Sequence, residues 1–322
     1  MRHIHLTIAA AVSLLVGCSG KGGGPGGGGD GGAPPPSGWT AGARGMFGAT
    51  NDGKVFVARQ SPTTQDFFSL VCVGHQLGWA AGGGGTILAT TNGGTDWRMQ
   101  EAPTMATLRG VAFADAQHGI AAGDAGTLLW SDDGGSSWAA VASPTSDNLN
   151  AAALSHDASL AWSVGERGVI LRSADGGRSY SIVRSGGGAL RAVKFAGDDA
   201  HGFAAGDRGA LLATADGGKT WRALPSAPAD LHGLSVSEAG TRIVAVGAGG
   251  LIWRSADGGT SWSSVASGTA STLNAIGFFD EVPDIGWVVG AAGTLLYTED
   301  GATHLTALQS PISTDIYSVE DL

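Results

Sequence analysis

Charge is scarce in this chain. Only 14% of its 322 residues are Asp, Glu, Lys or Arg, the net charge is −10, and no basic run occurs anywhere. That balance argues against a nucleic-acid partner, because phosphate binding needs clustered cations. Cysteine is nearly absent too. Two residues, Cys18 and Cys72, allow no Cys-x-x-Cys pair, and no His-x-x-x-His spacing exists, so neither a metal site nor a cofactor is expected. Cys72 sits in an apolar stretch and reads as a small core residue. No heptad is sustained, and the longest N-terminal apolar run, residues 6–16, is too short to span a bilayer.

What is plentiful is glycine, 56 residues of it, and much of it recurs at a fixed interval. The octet Ser-Ala-Asp-Gly-Gly-Thr-Ser-Trp at 255–262 has relatives starting at residues 90, 131, 173, 214 and 298, spaced 41 to 43 apart, and a worn copy near residue 50. Such a period implies one supersecondary unit per repeat. Within the octet, the Asp can accept hydrogen bonds from its own turn, the paired glycines permit positive φ, and the closing Trp supplies apolar bulk. The octet resembles the Asp-box, or bacterial neuraminidase repeat, which is structural in several propeller families. Asp133, Asp175, Asp216, Asp257 and Asp300 are therefore read as turn-forming residues, each in a different repeat.

A second signature, Gly-x-x-Gly, starts at residues 42, 82, 123, 165, 206, 247 and 290, each time between two short apolar runs that read as a hairpin. One strand upstream and one downstream of the box complete four strands per repeat, the unit of a propeller blade. The first hairpin lacks an inner strand before it, and residues 315–322 form an inner strand with no hairpin after it. Joined, the two make one blade. The sequence predicts an all-β, seven-bladed propeller over residues 38–322, closed by its C-terminal strand, with no exposed seam.

Residues 1–17 read as a lipoprotein signal peptide and 18–37 as a Gly/Pro-rich tether. Leu15-Val16-Gly17-Cys18 resembles a bacterial lipobox, which makes Cys18 the lipidated residue. Ser19 follows it, favouring the outer membrane of a bacterial envelope over the inner. Contact with the membrane is expected only through that lipid, and the propeller itself is expected to be a monomer.

Strand order places the inner-strand starts and the Gly-x-x-Gly turns on one face and the boxes on the other. The second residues of the inner strands are Ser69, Arg109, Asn150, Arg191, His232, Asn274 and Tyr317. All are polar or amphipathic in otherwise apolar strands, and they are expected to ring the mouth of the central channel, where ligands often bind. Asp124, Glu166 and Asp207 in the nearby turns make the field mixed.

The repeat Leu-Arg-x-Val-x-Phe … Gly-Trp-x-x-Gly-x-x-Gly-Thr-Leu-Leu-x-Ser-x-Asp-Gly-Gly-x-Ser-Trp resembles the photosystem II assembly and stability factor propellers over residues 38–322. The resemblance implies a non-catalytic scaffold that binds a membrane-protein subunit through an arginine patch. Arg109 and Arg191 match the inner-strand arginine of the motif, whereas Asn150, His232 and Asn274 depart from it. The expected partner is a protein or peptide, such as a membrane-protein segment or an acidic tail. The competing reading is a sialidase-like or other glycan-acting or glycan-binding propeller. Tyr317, Arg109 and Arg191 would then supply a nucleophile and part of an arginine triad. No long loop supplies the acid that such chemistry needs.

Overall fold

The computed structural model describes residues 37–279 and 282–321. The signal peptide, Cys18 and nearly all of the tether lie outside these residues. The described residues form 28 strands in seven four-stranded antiparallel sheets, with a single 3₁₀ turn in each blade. Blade 1 takes its inner strand, Ile316–Asp321, from the far end of the chain and its other three from Gly38–Gly42, Met46–Thr50 and Val57–Gln60. Gly38 pairs with Asp321, and Trp39 with Glu320, so the ring closes as the sequence predicts. Blades 2 to 7 are continuous in sequence, with inner strands Phe67–Val73, Leu108–Phe113, Leu149–Leu154, Leu190–Phe195, Leu231–Val236 and Leu273–Phe278.

The Gly-x-x-Gly turns need glycine for two different reasons. Gly123 is extended, at φ −166°, but a Cβ there would stand 2.1 Å from the Thr107 carbonyl oxygen. Gly126, at φ +72°, occupies the left-handed region and also faces the Thr145 carbonyl at 2.1 Å. Between them, Ala125 adopts φ 54°. Its equivalents Arg44, Arg208 and Ala292 are left-handed as well, and each of the four has its N–H capped from the next blade. Asp66, Asn148, Asp230 and Asp315, two residues before each bulge described below, accept those bonds at 2.6–2.9 Å.

The boxes behave as structural turns. Asp257 Oδ1 accepts from Ser255 Oγ and Ser261 N, both at 2.8 Å, while Oδ2 accepts from Ser261 Oγ at 2.5 Å. Asp133, Asp175 and Asp216 repeat the pattern, and in Asp300 His304 replaces the hydroxyl donor. These bonds, led by the Ser261 hydroxyl, bring the Asp257 carboxyl down to about 2.

Adjacent blades are joined by large aromatic contacts. Trp79 stacks on Phe113 of the next blade at 3.6 Å, and Trp162 on Phe195 at 3.7 Å. Both indoles also donate to a box carbonyl in that next blade, Gly134 O at 2.9 Å and Gly217 O at 3.1 Å. The core is thus a belt of inter-blade layers rather than one central mass. Cys72, expected in that core, is only half-buried.

Candidate functional site

Every inner strand starts with a β-bulge, and the bulges build the channel mouth. Leu108 pairs with Gly123 and Gly110 with Ala122, which leaves Arg109 unpaired and turned out of the ladder. The same shift frees Asn150, Arg191, His232, Asn274 and Tyr317. In blade 2 the bulged residue is Phe68, not Ser69. The inner strand there begins at Phe67, so Ser69 falls one place further along, opposite Ala81. Ser69 is fully buried, and its Oγ accepts from Val111 N of the next blade at 2.9 Å. Placing Ser69 in the ring is therefore a register error, and its hydroxyl stitches two inner strands. Residues at its position elsewhere are Gly, Ala or Ser because the strands converge there. A Cβ on Gly110 would meet Ala152 N at 2.7 Å.

The ring is uneven. One sector is aromatic: Phe68 and Tyr317 pack at 5.3 Å, and the Arg109 guanidinium lies over the Phe68 ring at 5.5 Å. Both rings are buried, and burial, followed by the charge of Asp315, pushes the Tyr317 phenol above its ordinary range. The rest is polar. Asn150 Nδ2 donates to Leu190 O at 2.9 Å, and Asn274 Nδ2 to Ile316 O at 2.9 Å, each reaching the next inner strand.

Neither arginine is a bare cation. Arg109 Nε and Nη2 donate to the two carboxylate oxygens of Asp124, at 2.5 and 3.2 Å. Arg191 does the same with Asp207, at 2.7 and 3.0 Å. Such forked pairs fix a guanidinium plane. The turn acids, visible in the sequence as neighbours, are thus the clamps that hold the ring arginines.

Three consecutive blades leave buried polar atoms without a hydrogen bond: Asn150 Oδ1, Arg191 Nη1 and His232 Nδ1. For Arg191 Nη1 the nearest acid is Glu166 Oε1, at 3.7 Å. Burial, then the positive charge of Arg191, lowers the His232 imidazole below its ordinary value, so it is neutral at pH 7. An acceptor, a cationic donor and a neutral imidazole nitrogen are thereby brought together at one side of the mouth. Buried polar atoms are usually satisfied, and each orphan costs about 1–3 kcal/mol.

Among the described residues, no group of three or more His, Cys, Asp or Glu could hold a metal ion. His118, His156, His201 and His304 each pair with a single acid, as His118 Nδ1 does with Asp115 at 2.8 Å and His201 Nδ1 with Asp198 at 2.6 Å.

The solved structure titled "YCF48 bound to D1 peptide" is similar at a TM-score of 0.63 and 21% identity, over 77% of this chain and 84% of that one. "YCF48 from Cyanidioschyzon merolae" gives 0.65 and 21%, over 81% and 91%. A chain of a nidogen/laminin complex gives 0.58 at 11% identity, over 76% and 97%. At these identities the likeness establishes the propeller alone. No curated protein matches. The sequence model for the family described as "Photosynthesis system II assembly factor YCF48" matches residues 95–186 and 188–270. That is more than half of the chain, running from the box of blade 2 past the last strand of blade 6, and the chain belongs to that family.

Proposed function

We propose that this protein is a non-catalytic, lipid-anchored scaffold that binds a protein or peptide at the channel mouth. The observation that carries the reading is the trio Asn150 Oδ1, Arg191 Nη1 and His232 Nδ1, buried on consecutive blades with no hydrogen bond. An extended peptide presents alternating N–H and C=O groups that can satisfy donors and acceptors of this kind together. The similar propeller described as bound to a D1 peptide supports a peptide as the class of ligand. Because Asp124 and Asp207 already hold the two arginines, a partner carboxylate would approach Arg191 through Nη1. Arg109 with Phe68 and Tyr317 offers an adjoining amphipathic wall. A catalytic role for Tyr317 is disfavoured by its raised phenol, since a nucleophile needs the opposite shift.

Lipidation at Cys18 and residence in the outer membrane of a bacterial envelope complete the proposal. Gly38 pairs with Thr50, the first residue of the blade 1 box, so the chain enters the ring from the box face. An anchor at Cys18 would leave the channel mouth facing away from the lipid.

The test is a crosslinking pull-down from native envelopes, using the wild type, Arg109→Ala/Arg191→Ala and Asn150→Ala/His232→Ala, with Cys18→Ala fractionated in parallel. A specific partner that disappears in both double variants is expected, as is release of Cys18→Ala from the membrane fraction. A partner retained at wild-type yield by both folded variants refutes the channel-mouth site. Retention of Cys18→Ala in the membrane refutes the anchor.

A further inference from the structure

We propose that the junction between blades 1 and 2, on the box face, is a binding site for a small organic monocarboxylate with an apolar body. It is independent of the channel mouth. The junction holds a cleft of about 570 Å³ whose walls include Trp39, Asp52, Val55, Val57 and Arg59. That volume lies in the range of small-molecule pockets.

The other six junctions show why this one is open. Each carries a large side chain from, or directly after, its third or fourth strand that lies over the next box. Gln100 Nε2 donates to Gly134 O at 3.2 Å, Arg172 Nε to Gly217 O at 2.7 Å, and Arg254 Nε to Gly301 O at 2.9 Å. Trp130 lies under Arg178 at 4.2 Å, and Tyr297 under Lys54 at 5.0 Å. Leu224 reaches within 3.3 Å of a Cβ built on Gly259. In blade 1 the third-strand position is Ala49, and the fourth-strand position that matches Gln100 by register is Arg59. Arg59 is exposed and makes no hydrogen bond or ion pair among the described residues.

One donor at this junction lacks the partner that its equivalents have. Trp79, Trp162 and Trp287 each donate their indole N–H to the next box, whereas Trp39, only 4% exposed, has no such partner. The Trp39 indole and the unpaired Arg59 guanidinium both line this cleft, with Val55 and Val57, 63% and 48% exposed, forming an apolar lip. Two donors lining one cleft fit a carboxylate, and the lip fits its hydrocarbon. Asp52 also lines the cleft, but its Oδ1 is turned into its own turn by Lys54 N at 2.9 Å and Val55 N at 2.8 Å. Its charge repels a dianion about twice as strongly as a monoanion, which favours a monocarboxylate over doubly charged phosphate.

The test uses protein labelled with ¹⁵N-tryptophan and titrated with benzoate, its neutral isostere benzamide, and inorganic phosphate. The Trp39 indole resonance, assigned from Trp39→Phe, should shift saturably with benzoate and not with the other two. Arg59→Ala should weaken the response by about tenfold or more. Ala49→Arg, which installs the plug seen at Arg172 and Arg254, should abolish it at an unchanged or raised melting temperature. A Trp39 resonance unmoved by benzoate, moved equally by benzamide, or titrating alike in Arg59→Ala or Ala49→Arg overturns the proposal. Peptide binding at the channel mouth should be the same in Ala49→Arg and wild type, which separates the two sites.

Discussion

A single carboxylate organises the turn of every box but that of blade 2, where Asn92 stands in its place, and makes the fold sensitive to acid. Asp257 sits well below its ordinary value of 3.8, at about 2, because the Ser261 hydroxyl, the Ser261 N–H and the Ser255 hydroxyl all donate to it. Asp216 is lowered for the same reason, with Thr220 as its main donor. The folded state therefore resists protonation more than the unfolded chain does. The stability this contributes is complete above the unfolded value and is lost as the pH falls from about 4 toward 2. Asp257→Asn keeps one acceptor but turns a donor toward the Ser261 hydroxyl. Its melting temperature should be lower than wild type at neutral pH, with the gap closing as acid protonates the wild-type carboxyl. Thermal unfolding at about pH 7, 4 and 2 checks this, and a gap constant across that range would rule out the carboxylate as its source. Residue chemistry of this kind was legible in the sequence because it is local: Ser, Asp, Gly and Ser lie within one octet.

At the level of the strand, legibility ran out where register mattered. Arg109, Asn150, Arg191, His232, Asn274 and Tyr317 were found by counting from strand starts, and each proves to be a bulge. Ser69 was misplaced because Phe67-Phe68 offers two equivalent apolar starts, and only the pairing of Phe67 with Gly82 decides between them. A slip of one residue turns a side chain to the opposite face, here from channel mouth to strand seam. The caps Asp66, Asn148, Asp230 and Asp315 were also missed, though an Asp or Asn just before four of seven inner strands is a periodic signal. Their partners lie in the preceding blade, which is why no local motif exposes them. The layers between sheets carry most of the packing. Trp162 is fully buried against Phe195 and donates across the junction, so Trp162→Ala should cost about 3–5 kcal/mol in denaturant unfolding. Trp162→Phe, which keeps the stack and loses the hydrogen bond, should cost clearly less. Equal losses would mean that the hydrogen bond, not the stack, dominates.

Taken whole, the molecule is a ring whose closure depends on residues far apart in sequence. Ile316–Asp321 is the inner strand of a blade whose other strands begin at Gly38. The seven-fold count was legible from spacing alone, because the two incomplete ends add to one repeat. The cleft between blades 1 and 2 was not, since it results from Ala49 and Arg59 standing where other junctions carry plugs. A covalent connection between the ends is dispensable as long as the sheet they share is intact. A circular permutant that links residue 321 to residue 38 through a short Gly-Ser segment and opens at the exposed loop around residue 146 should fold and melt within a few degrees of wild type. Deleting residues 315–322 should instead abolish cooperative unfolding. A cooperative transition in the truncated chain would show that six blades suffice.

That shared sheet also sets an order of events during synthesis. Strands Gly38–Gly42 and Met46–Thr50 leave the ribosome early, but the strand that pairs with Gly38 and Trp39 is made last. Until then the nascent chain displays an open row of backbone donors and acceptors beside an unfinished apolar face. Such an edge invites pairing with other chains and binding by chaperones. Closure of blade 1 therefore removes the last open edge, and a chain interrupted before its final strand keeps that edge exposed.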